Sequence, residues 1–337
     1  MLNIGVIGFG YWGPNLVRNF VSNEKCSVKM VADKNPERLK LVKKLYPSVN
    51  AVSGEDKIIG NPGIDAVIIA TPISTHYALA KKALLAGKHV LVEKPITNSK
   101  KHAIELVRLA RKYKKILLVD HIFLYHGAVN KIKELIDKGD IGEIEYFDSI
   151  RVNLGLFQQD SSVIWDLAVH DLSILDYLIN EKVKSVIATG ISHTKNSIEN
   201  IAYLTLKFKS NRIAHINSSW TSPVKIRQIL IGGTKKMIVY NDVEPTEKIK
   251  VYDTGYTMQR EKALVDYRIG DVYIPKFDQS EALANLTKDF IRSILTGASP
   301  VSNGERALTI INILEGAQAS IKANGKEVFL HENAEHK

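Results

Sequence analysis

A glycine-rich turn near the start of the chain is the sequence feature that most limits its possible folds. The apolar run Ile4–Ile7 leads directly into a segment with the spacing G-x-G-x-x-G. In such a segment the first two glycines permit a tight turn and a close approach to a pyrophosphate, and the third lets the next helix pack near the strand. The helix N-terminus then offers free N–H groups to the phosphates. We therefore predict a dinucleotide-binding β–α–β unit with ligand contacts at Gly8, Phe9, Gly10, Tyr11, Trp12 and Gly13.

An acidic residue follows at the distance that a dinucleotide site requires. A second apolar run, Val28–Ala32, is followed by Asp33, twenty residues after Gly13. A carboxylate there would bond the ribose hydroxyls of NAD and repel the 2′-phosphate of NADP. The next residue, Lys34, could soften that repulsion. The sequence predicts NAD as the cofactor, with NADP as the less favoured alternative.

Length and composition limit the class of protein. A chain of 337 residues with 45% hydrophobic residues is long enough for two domains or one large one. The lone cysteine, Cys26, cannot form an internal disulfide and fits a reducing compartment. The first strand begins right after Met1, and no apolar run approaches membrane-spanning length. We therefore expect a cytoplasmic protein with no signal peptide and no membrane partner.

The chain carries a formal net charge of +10. We interpret this charge as a lysine-rich solvated surface, and the alternative is attraction of an anionic substrate such as a nucleotide sugar. The basic residues are dispersed, as at Arg38, Lys40 and Lys43, rather than gathered beside aromatic residues. That dispersion argues against a nucleic-acid partner.

Strand and helix patterns alternate over residues 1–120, which predicts a Rossmann-type, doubly wound parallel sheet of the α/β class. Helical stretches such as Ala78–Leu85 and Ala103–Tyr113 separate short apolar runs that resemble buried parallel strands. The ligand of such a sheet binds at the carboxyl ends of its strands. The six runs are Ile4–Ile7, Val28–Ala32, Val49–Val52, Ala66–Ala70, Val90–Val92 and Ile116–Val119.

The pattern changes over residues 121–337, which we assign to a second, α+β domain. Hydrophobic and polar residues alternate over Ala202–Phe208, and Ile213–Trp220 and Val224–Ile231 repeat the theme. Short turns at Ser210-Asn211 and Ser222-Pro223 predict hairpins of antiparallel strands with one solvated face. The polar stretch Val243–Ile274 predicts no regular element. Helices are predicted at residues 128–137, 281–295 and 305–323.

Three clusters of polar residues could carry chemistry. Two of them follow strand ends, where the cofactor crevice must lie: Thr71–His76 and Glu93-Lys94-Pro95. The third lies at the start of a helix, where Asp166 and His170 are four residues apart and share a helical face. The structural alternatives are a surface lysine at 94 and a purely stabilising bond between Asp166 and His170. The cofactor residues predicted from the first two clusters are Thr71, Pro72, Ser74, His76, Glu93 and Lys94.

Taken together, the three clusters resemble the Gfo/Idh/MocA family of glucose–fructose oxidoreductases and inositol dehydrogenases. Asp120-His121, Gly270-Asp271 and Pro300-Val301 extend the resemblance over nearly the whole chain. Gly8–Asn15, Trp165–His170 and Trp220–Arg227 resemble members from nucleotide-sugar pathways. The resemblance implies two domains, a large, open, mostly antiparallel second sheet and a last helix able to pack back on the first domain. It also implies a homodimer or homotetramer formed through the open sheet.

The resemblance further implies that Lys94 and His170 flank a hydroxyl that loses a hydride to nicotinamide. A histidine is suited to take the hydroxyl proton as general base. Lys94 would stabilise the negative charge that grows on the oxygen, or would itself be the base. Asp166 would orient His170 or bind a neighbouring hydroxyl. No metal is expected, because the hydride leaves to the cofactor.

Basic residues on the strands before and after the third cluster suggest a phosphate-bearing substrate. An arginine fork suits a diphosphate, whereas the alternative is ordinary salt bridging on a strand face. Lys225 and Arg227 share a predicted strand face. The predicted substrate residues are Lys94, Arg151, Asn153, Asp166, His170 and Arg227.

These observations favour an NAD-dependent dehydrogenase of a nucleotide-linked sugar, such as UDP-N-acetylhexosamine at C3. The first alternative is an inositol or free-sugar dehydrogenase, and the two differ in whether a diphosphate site exists. The second alternative is a dinucleotide-sensing protein without catalysis. The joint presence of Lys94, Asp166 and His170 argues against that second alternative.

Overall fold

The computed structural model describes residues 1–155, 157–158, 161–194, 198–259 and 264–330. The chain forms two compact units. The first unit comprises Met1–Tyr125 and Ser280–Ile311, and the second comprises His126–Gln279 and the chain from Asn312 onward. The sequence had assigned everything after residue 120 to the second domain, whereas Ser280–Ile311 belongs to the first unit.

The first unit contains a parallel sheet of six strands. The strands are β1 (Leu2–Ile7), β2 (Cys26–Ala32), β3 (Asn50–Val52), β4 (Ala66–Ile69), β5 (His89–Glu93) and β6 (Leu117–Asp120). They lie in the order β3-β2-β1-β4-β5-β6. Every residue of β4 is buried, as expected for a strand covered on both faces. The predicted doubly wound sheet is therefore confirmed. The helices between the strands are α1 (Gly13–Val21), α2 (Pro36–Leu45), α3 (Asp56–Ile59), α4 (Ile73–Leu85) and α5 (Lys100–Lys112).

The second unit begins with α6 (Gly127–Asp137), and a π-helical turn over Ile164–Ala168 precedes α7 (Val169–Leu178). The strands of its large sheet are β7 (Ile144–Leu154), β8 (Val183–Ile191), β9 (Ile201–Phe208), β10 (Ile213–Ser219), β11 (Thr221–Gly233), β12 (Met237–Asn241), β13 (Ile249–Gln259), β14 (Leu264–Tyr273) and β15 (Val328–Phe329). They lie in the order β14-β13-β12-β11-β7-β10-β9-β8-β15. β7 and β10 run parallel, and the other neighbouring strands run antiparallel, which confirms the predicted mostly antiparallel sheet.

Two long helices follow β14 along the chain. α8 (Ala282–Thr296) belongs to the first unit, where Phe290 meets Phe20 of α1 edge to face. Asp289 of α8 accepts hydrogen bonds from the Tyr125 hydroxyl and the Val301 N–H, both at 2.8 Å. α9 (Gly304–Lys322) begins in the first unit and ends in the second. No helix in the described ranges has both the length and the apolar character needed to cross a membrane.

Two predictions about the second sheet are wrong. Ser222-Pro223 does not form a hairpin between β10 and β11, because β7 lies between these strands and both residues fall inside β11. The register of β11 against β7 shifts between Thr221 and Ile226, which marks an irregularity at that point. Within the stretch Val243–Ile274, residues Ile249–Gln259 form β13 and Leu264–Tyr273 form β14 rather than irregular chain.

Candidate active site

The glycine turn has the close contacts that its sequence predicts. Gly8 has a φ of +98°, and a Cβ there would lie 2.3 Å from the carbonyl oxygen of Ala70. A Cβ on Gly13 would lie 2.4 Å from the carbonyl oxygen of Gly8. Only glycine fits either position. The turn leads into α1, whose first turn has no side-chain cap, so its N–H groups suit a pyrophosphate.

The predicted ribose carboxylate is held against this turn. Asp33 Oδ2 accepts the backbone N–H of Phe9 at 2.7 Å, and Oδ1 accepts that of Asn35 at 2.8 Å. Arg38 Nη1 lies 3.6 Å from Asp33 Oδ2. The same nitrogen lies 3.2 Å from where a Cβ of Gly10 would be. Arg38 is not among the predicted site residues, although its place in the first turns of α2, close behind Asp33, is a signal in the sequence.

The two aromatic residues of the turn are the most accessible of its predicted cofactor residues. Tyr11 and Trp12 are both exposed, and their rings meet edge to face with centroids 5.9 Å apart. Phe9, by contrast, is buried.

His76 links the segments that follow β4 and β5. Its buried ring contacts two backbone carbonyl oxygens, Thr71 O at 2.7 Å from Nε2 and Pro95 O at 2.9 Å from Nδ1. The hydroxyl groups of Thr71 and Thr75 are 2.7 Å apart. Of the other residues predicted here, Pro72 and Ser74 are exposed. Both ring nitrogens of His76 therefore contact the protein's own backbone.

The segment Glu93-Lys94-Pro95 begins at the last residue of β5. The Lys94–Pro95 peptide bond is cis. Glu93 and Asp120 are paired residues at the carboxyl ends of β5 and β6, and both are buried. Burial raises the pKa of Glu93 well above its ordinary value, and it raises the pKa of Asp120 to about 6. Asp120 had been noted only for the resemblance, so this carboxyl pair was missed, although two acidic residues at neighbouring strand ends were a visible signal.

The third cluster begins in the π-helical turn rather than in an α-helix. Asp166 lies in that turn, and His170 lies in the first turn of α7. The shared α-helical face that their spacing predicted is therefore interrupted. Trp220 is fully buried and donates its Nε1–H to Asp166 Oδ2 at 3.1 Å. Single π-helical turns within α-helices occur frequently at functional sites.

The predicted diphosphate residues have different environments. Arg151 is only 2% exposed, and its Nε and Nη2 donate to the two carboxylate oxygens of Asp171 at 2.8 and 2.9 Å. This bidentate ion pair favours the salt-bridge alternative for Arg151. Arg227 on β11 is the register partner of Arg151. It is half-buried, and its Nη1 lies 3.3 Å from Asp242 Oδ2. Lys225 is exposed. Asn153 lies near the end of β7 and is half-buried.

Asp242 is the carboxylate that these cations share. Burial alone would raise its pKa, but the charges of Arg151, His126, Lys248 and Arg227 lower it below the ordinary value. Asp242 is therefore ionised at neutral pH. The buried Nε of Arg227 has no hydrogen-bond partner among the described residues.

Comparisons with known proteins assign the chain to a family. Residues 2–121 match the model of the Gfo/Idh/MocA oxidoreductase family, NAD-binding Rossmann fold, and residues 129–239 match the model of the Gfo/Idh/MocA C-terminal domain. The chain belongs to the Gfo/Idh/MocA family. The predicted family and the predicted enzyme class, an oxidoreductase, are both confirmed.

Individual relatives are more distant. The chain is 30% identical over 229 residues to a UDP-N-acetylglucosamine 3-dehydrogenase of Acidithiobacillus ferrooxidans, covering 65% of this chain and 67% of that protein. It is 24% identical over 315 residues to a myo-inositol 2-dehydrogenase of Thermotoga maritima, covering 90% and 91%. A solved structure of the Acidithiobacillus enzyme superposes with a TM-score of 0.80 at 23% identity, covering 96% of this chain and 99% of that one. That likeness shows the shared fold.

Proposed function

We propose that this protein is an NAD-dependent oxidoreductase of a nucleotide-linked sugar, acting on a ring-carbon hydroxyl such as C3 of a UDP-N-acetylhexosamine. One observation carries the proposal: Lys94 lies at the same edge of the parallel sheet as the dinucleotide turn. Ala70, after β4, packs against Gly8, and His76 connects Thr71 to Pro95, the residue after Lys94. The position of Lys94 in the chain, next to Pro95, supports a role for it beside the expected cofactor crevice.

The bound dinucleotide supplies the hydride acceptor in oxidation and the donor in reduction. Lys94, His170 and Asp166 are the proposed catalytic residues. Lys94 donates a hydrogen bond to the reacting oxygen or takes its proton, and His170 is the other candidate base. Asp166, held by Trp220, orients His170 or binds a neighbouring hydroxyl. NAD is proposed over NADP because the fixed carboxylate of Asp33 would repel a 2′-phosphate.

A nucleotide-linked substrate is supported by the exposed Lys225 and the half-buried Arg227, one of whose nitrogens has no hydrogen-bond partner among the described residues. The name of the Acidithiobacillus relative points the same way. Asn153 completes the proposed substrate residues on β7. Arg151 is a weaker candidate for binding a diphosphate, because its Nε and Nη2 already donate hydrogen bonds to the carboxylate of Asp171.

The second candidate is an inositol or free-sugar dehydrogenase. The ion pairing of Arg151 favours it, because one of the predicted diphosphate ligands is engaged within the protein. The inositol dehydrogenase from Thermotoga maritima aligns over more of the chain.

For either substrate we propose a cytoplasmic enzyme that assembles as a homodimer or homotetramer through its open sheet.

NAD reduction measured over UDP-N-acetylhexosamines, other nucleotide sugars and inositols tests the proposal. We expect turnover with a nucleotide sugar, and a loss of at least about 100-fold in kcat for Lys94→Ala and for His170→Ala. Both variants should still bind NAD. Lys112→Ala, an exposed lysine at the end of α5, is the matched control and should be unchanged. Turnover of inositols alone would favour the second candidate, and unaltered turnover in both variants would refute the catalytic assignment.

A further inference from the structure

Arg151 and Asp171 form a buried ion pair immediately beside His170 in the chain. Arg151 lies on β7 and Asp171 in the first turn of α7, and their side chains are 2% and 1% exposed. Arg151 Nε lies 2.8 Å from Asp171 Oδ2, and Nη2 lies 2.9 Å from Oδ1. Two parallel hydrogen bonds of this kind fix the orientation of a planar carboxylate relative to a planar guanidinium. The pair therefore holds the start of α7 against β7 in one geometry.

The backbone before His170 does not continue a regular α-helix. His170 is the second residue of α7, which directly follows the π-helical turn over Ile164–Ala168. Such a turn contains more residues than an α-helical turn, so it changes the direction in which the next side chains point. The N-cap residue of α7, Ala168, makes no side-chain cap hydrogen bond. Contacts of the side chains around His170 therefore have to hold this part of α7 in place.

A second anchor lies on the other side of His170 in the chain. Asp166, four residues earlier, accepts a hydrogen bond from the indole N–H of the buried Trp220 at 3.1 Å. Trp220 lies between β10 and β11. One carboxylate before His170 and one after it are thus bound by side chains of the second sheet region. Asp171 has the stronger anchor, because both of its hydrogen bonds come from a charged group.

Stability alone does not explain a buried ion pair in this position. Removing two charges from water costs free energy, and apolar side chains of similar volume are often neutral or stabilising replacements for such a pair. Burial acts to lower the pKa of Arg151, but the charge of Asp171 and the hydrogen bonds to it raise that pKa overall, so the guanidinium stays charged. The ion pair provides a fixed direction, which an apolar contact does not.

We propose that Arg151 and Asp171 are positioning residues that set the direction of the His170 side chain. The proposal rests on the proposed function, because it assumes that His170 acts on the substrate hydroxyl. It gives Arg151 a role within the protein instead of a role in binding a diphosphate.

A double substitution separates positioning from stability. Arg151→Met with Asp171→Leu replaces the ion pair by two apolar side chains, and its urea unfolding midpoint should stay close to that of the wild type. We expect its kcat to fall about 10- to 100-fold with an unchanged KM for NAD, because the ring is no longer held in the reacting geometry. Wild-type kcat in this variant would overturn the proposal. If the double variant does not fold, Arg151→Lys makes the same test, because it keeps the charge and loses the two-bond geometry.

NMR spectra of the histidine rings in the whole protein test the positioning without substrate. His170→Ala assigns the His170 ring signals, which should shift or broaden when Arg151 and Asp171 are both replaced. Glu181→Gln is the control, because Glu181 pairs with Arg212 at 3.0 Å just beyond the C-terminal end of α7. That variant should leave the His170 signals and kcat unchanged. Unchanged His170 signals in the double variant would overturn the inference whether or not any sugar is turned over, whereas wild-type kcat in His170→Ala would refute the proposed function.

Discussion

Asp33 is fixed by two backbone N–H groups, and Arg38 stands next to it. Replacing Asp33 with Ala removes the carboxylate that would bond the ribose and repel a 2′-phosphate, and it leaves the guanidinium of Arg38 available to a phosphate. We expect the preference for NAD, measured as kcat/KM with NAD divided by kcat/KM with NADP, to fall at least about tenfold. A change of this size corresponds to the free energy of one or two charge-assisted hydrogen bonds. Steady-state kinetics with both cofactors measure this ratio.

Arg38→Ala in the Asp33→Ala background is the control for that prediction. If Arg38 attracts the phosphate, the second substitution removes most of the gain with NADP. If Lys34→Ala removes it instead, the neighbouring lysine is responsible. A wild type that already prefers NADP would contradict our interpretation of Asp33.

Trp220 fixes the orientation of Asp166 through its indole hydrogen bond, so substituting Trp220 tests whether that orientation matters for catalysis. Trp220→Phe keeps an aromatic ring for packing against Phe157, whose ring centroid is 5.7 Å away, but it removes the N–H donor to Asp166. We expect kcat to fall about tenfold while NAD affinity is unchanged, because a misoriented side chain affects the reacting geometry rather than cofactor binding. Asp166→Asn should be at least as damaging, and the double variant no worse. An additive loss in the double variant would show that Trp220 acts independently of Asp166.

The connection between the ends of β4 and β5 depends on the His76 ring. The neutral ring of His76 has one N–H, so His76→Leu removes the hydrogen bond to one of the two carbonyl oxygens, of Thr71 or of Pro95, in a buried place. An unsatisfied buried group costs about 1–3 kcal/mol, so the free energy of unfolding should fall by about 2 kcal/mol. Urea denaturation measures the loss. Ser74→Ala, exposed in the same helical turn, should change it by less than about 0.5 kcal/mol.

At the opposite ends of the strands, His89 makes stability depend on pH. Its Nδ1 accepts the N–H of Ile116, and burial together with the charge of Lys115 lowers its pKa to about 4. The unfolded chain therefore takes up this proton first, so stability is present above pH 6.5 and is lost as the pH falls toward 4. One proton gives at most about 1.4 kcal/mol per pH unit, and partial exposure of the ring reduces that to about 1 kcal/mol. Urea denaturation at pH values from 7 to 5 measures how steeply the free energy of unfolding falls with pH. In His89→Asn, whose amide oxygen can still accept the hydrogen bond from Ile116, this fall should be less steep than in the wild type. An equally steep fall in both proteins would contradict the role of His89.

The parallel sheet could be predicted from sequence because its information is local. Each buried strand is a continuous apolar run, and the glycine motif and Asp33 fix the first β–α–β unit without reference to distant residues. The order of the second sheet is not local. β7 lies between β10 and β11 in the sheet, so no hairpin joins these two strands at Ser222-Pro223. β11 instead pairs with β7, some 70 residues earlier in the chain, as at Arg227 and Arg151.

Within the candidate site, the sequence identified residues but not their partners. Arg151 and Asp171 could be recognised as charged, yet only the fold shows that one neutralises the other. The same holds for Glu93 and Asp120, whose interaction arises because β5 and β6 are parallel neighbours in register. Partner choice depends on tertiary contacts, which a single sequence does not contain.

At the scale of the whole molecule, one face of the second sheet predicts self-association. On β9 and β10 the buried residues alternate with Tyr203 and Ile213, which are 47% and 48% exposed on the same face. Exposed apolar residues on an open sheet mark an association surface, so we expect a homo-oligomer in solution. Ile213→Glu places a charge on this face and should shift light-scattering mass toward the monomer, whereas Val21→Glu, on a residue 45% exposed on α1, should not. A wild type that is monomeric at micromolar concentration, or equal masses for both variants, would contradict assembly through this sheet.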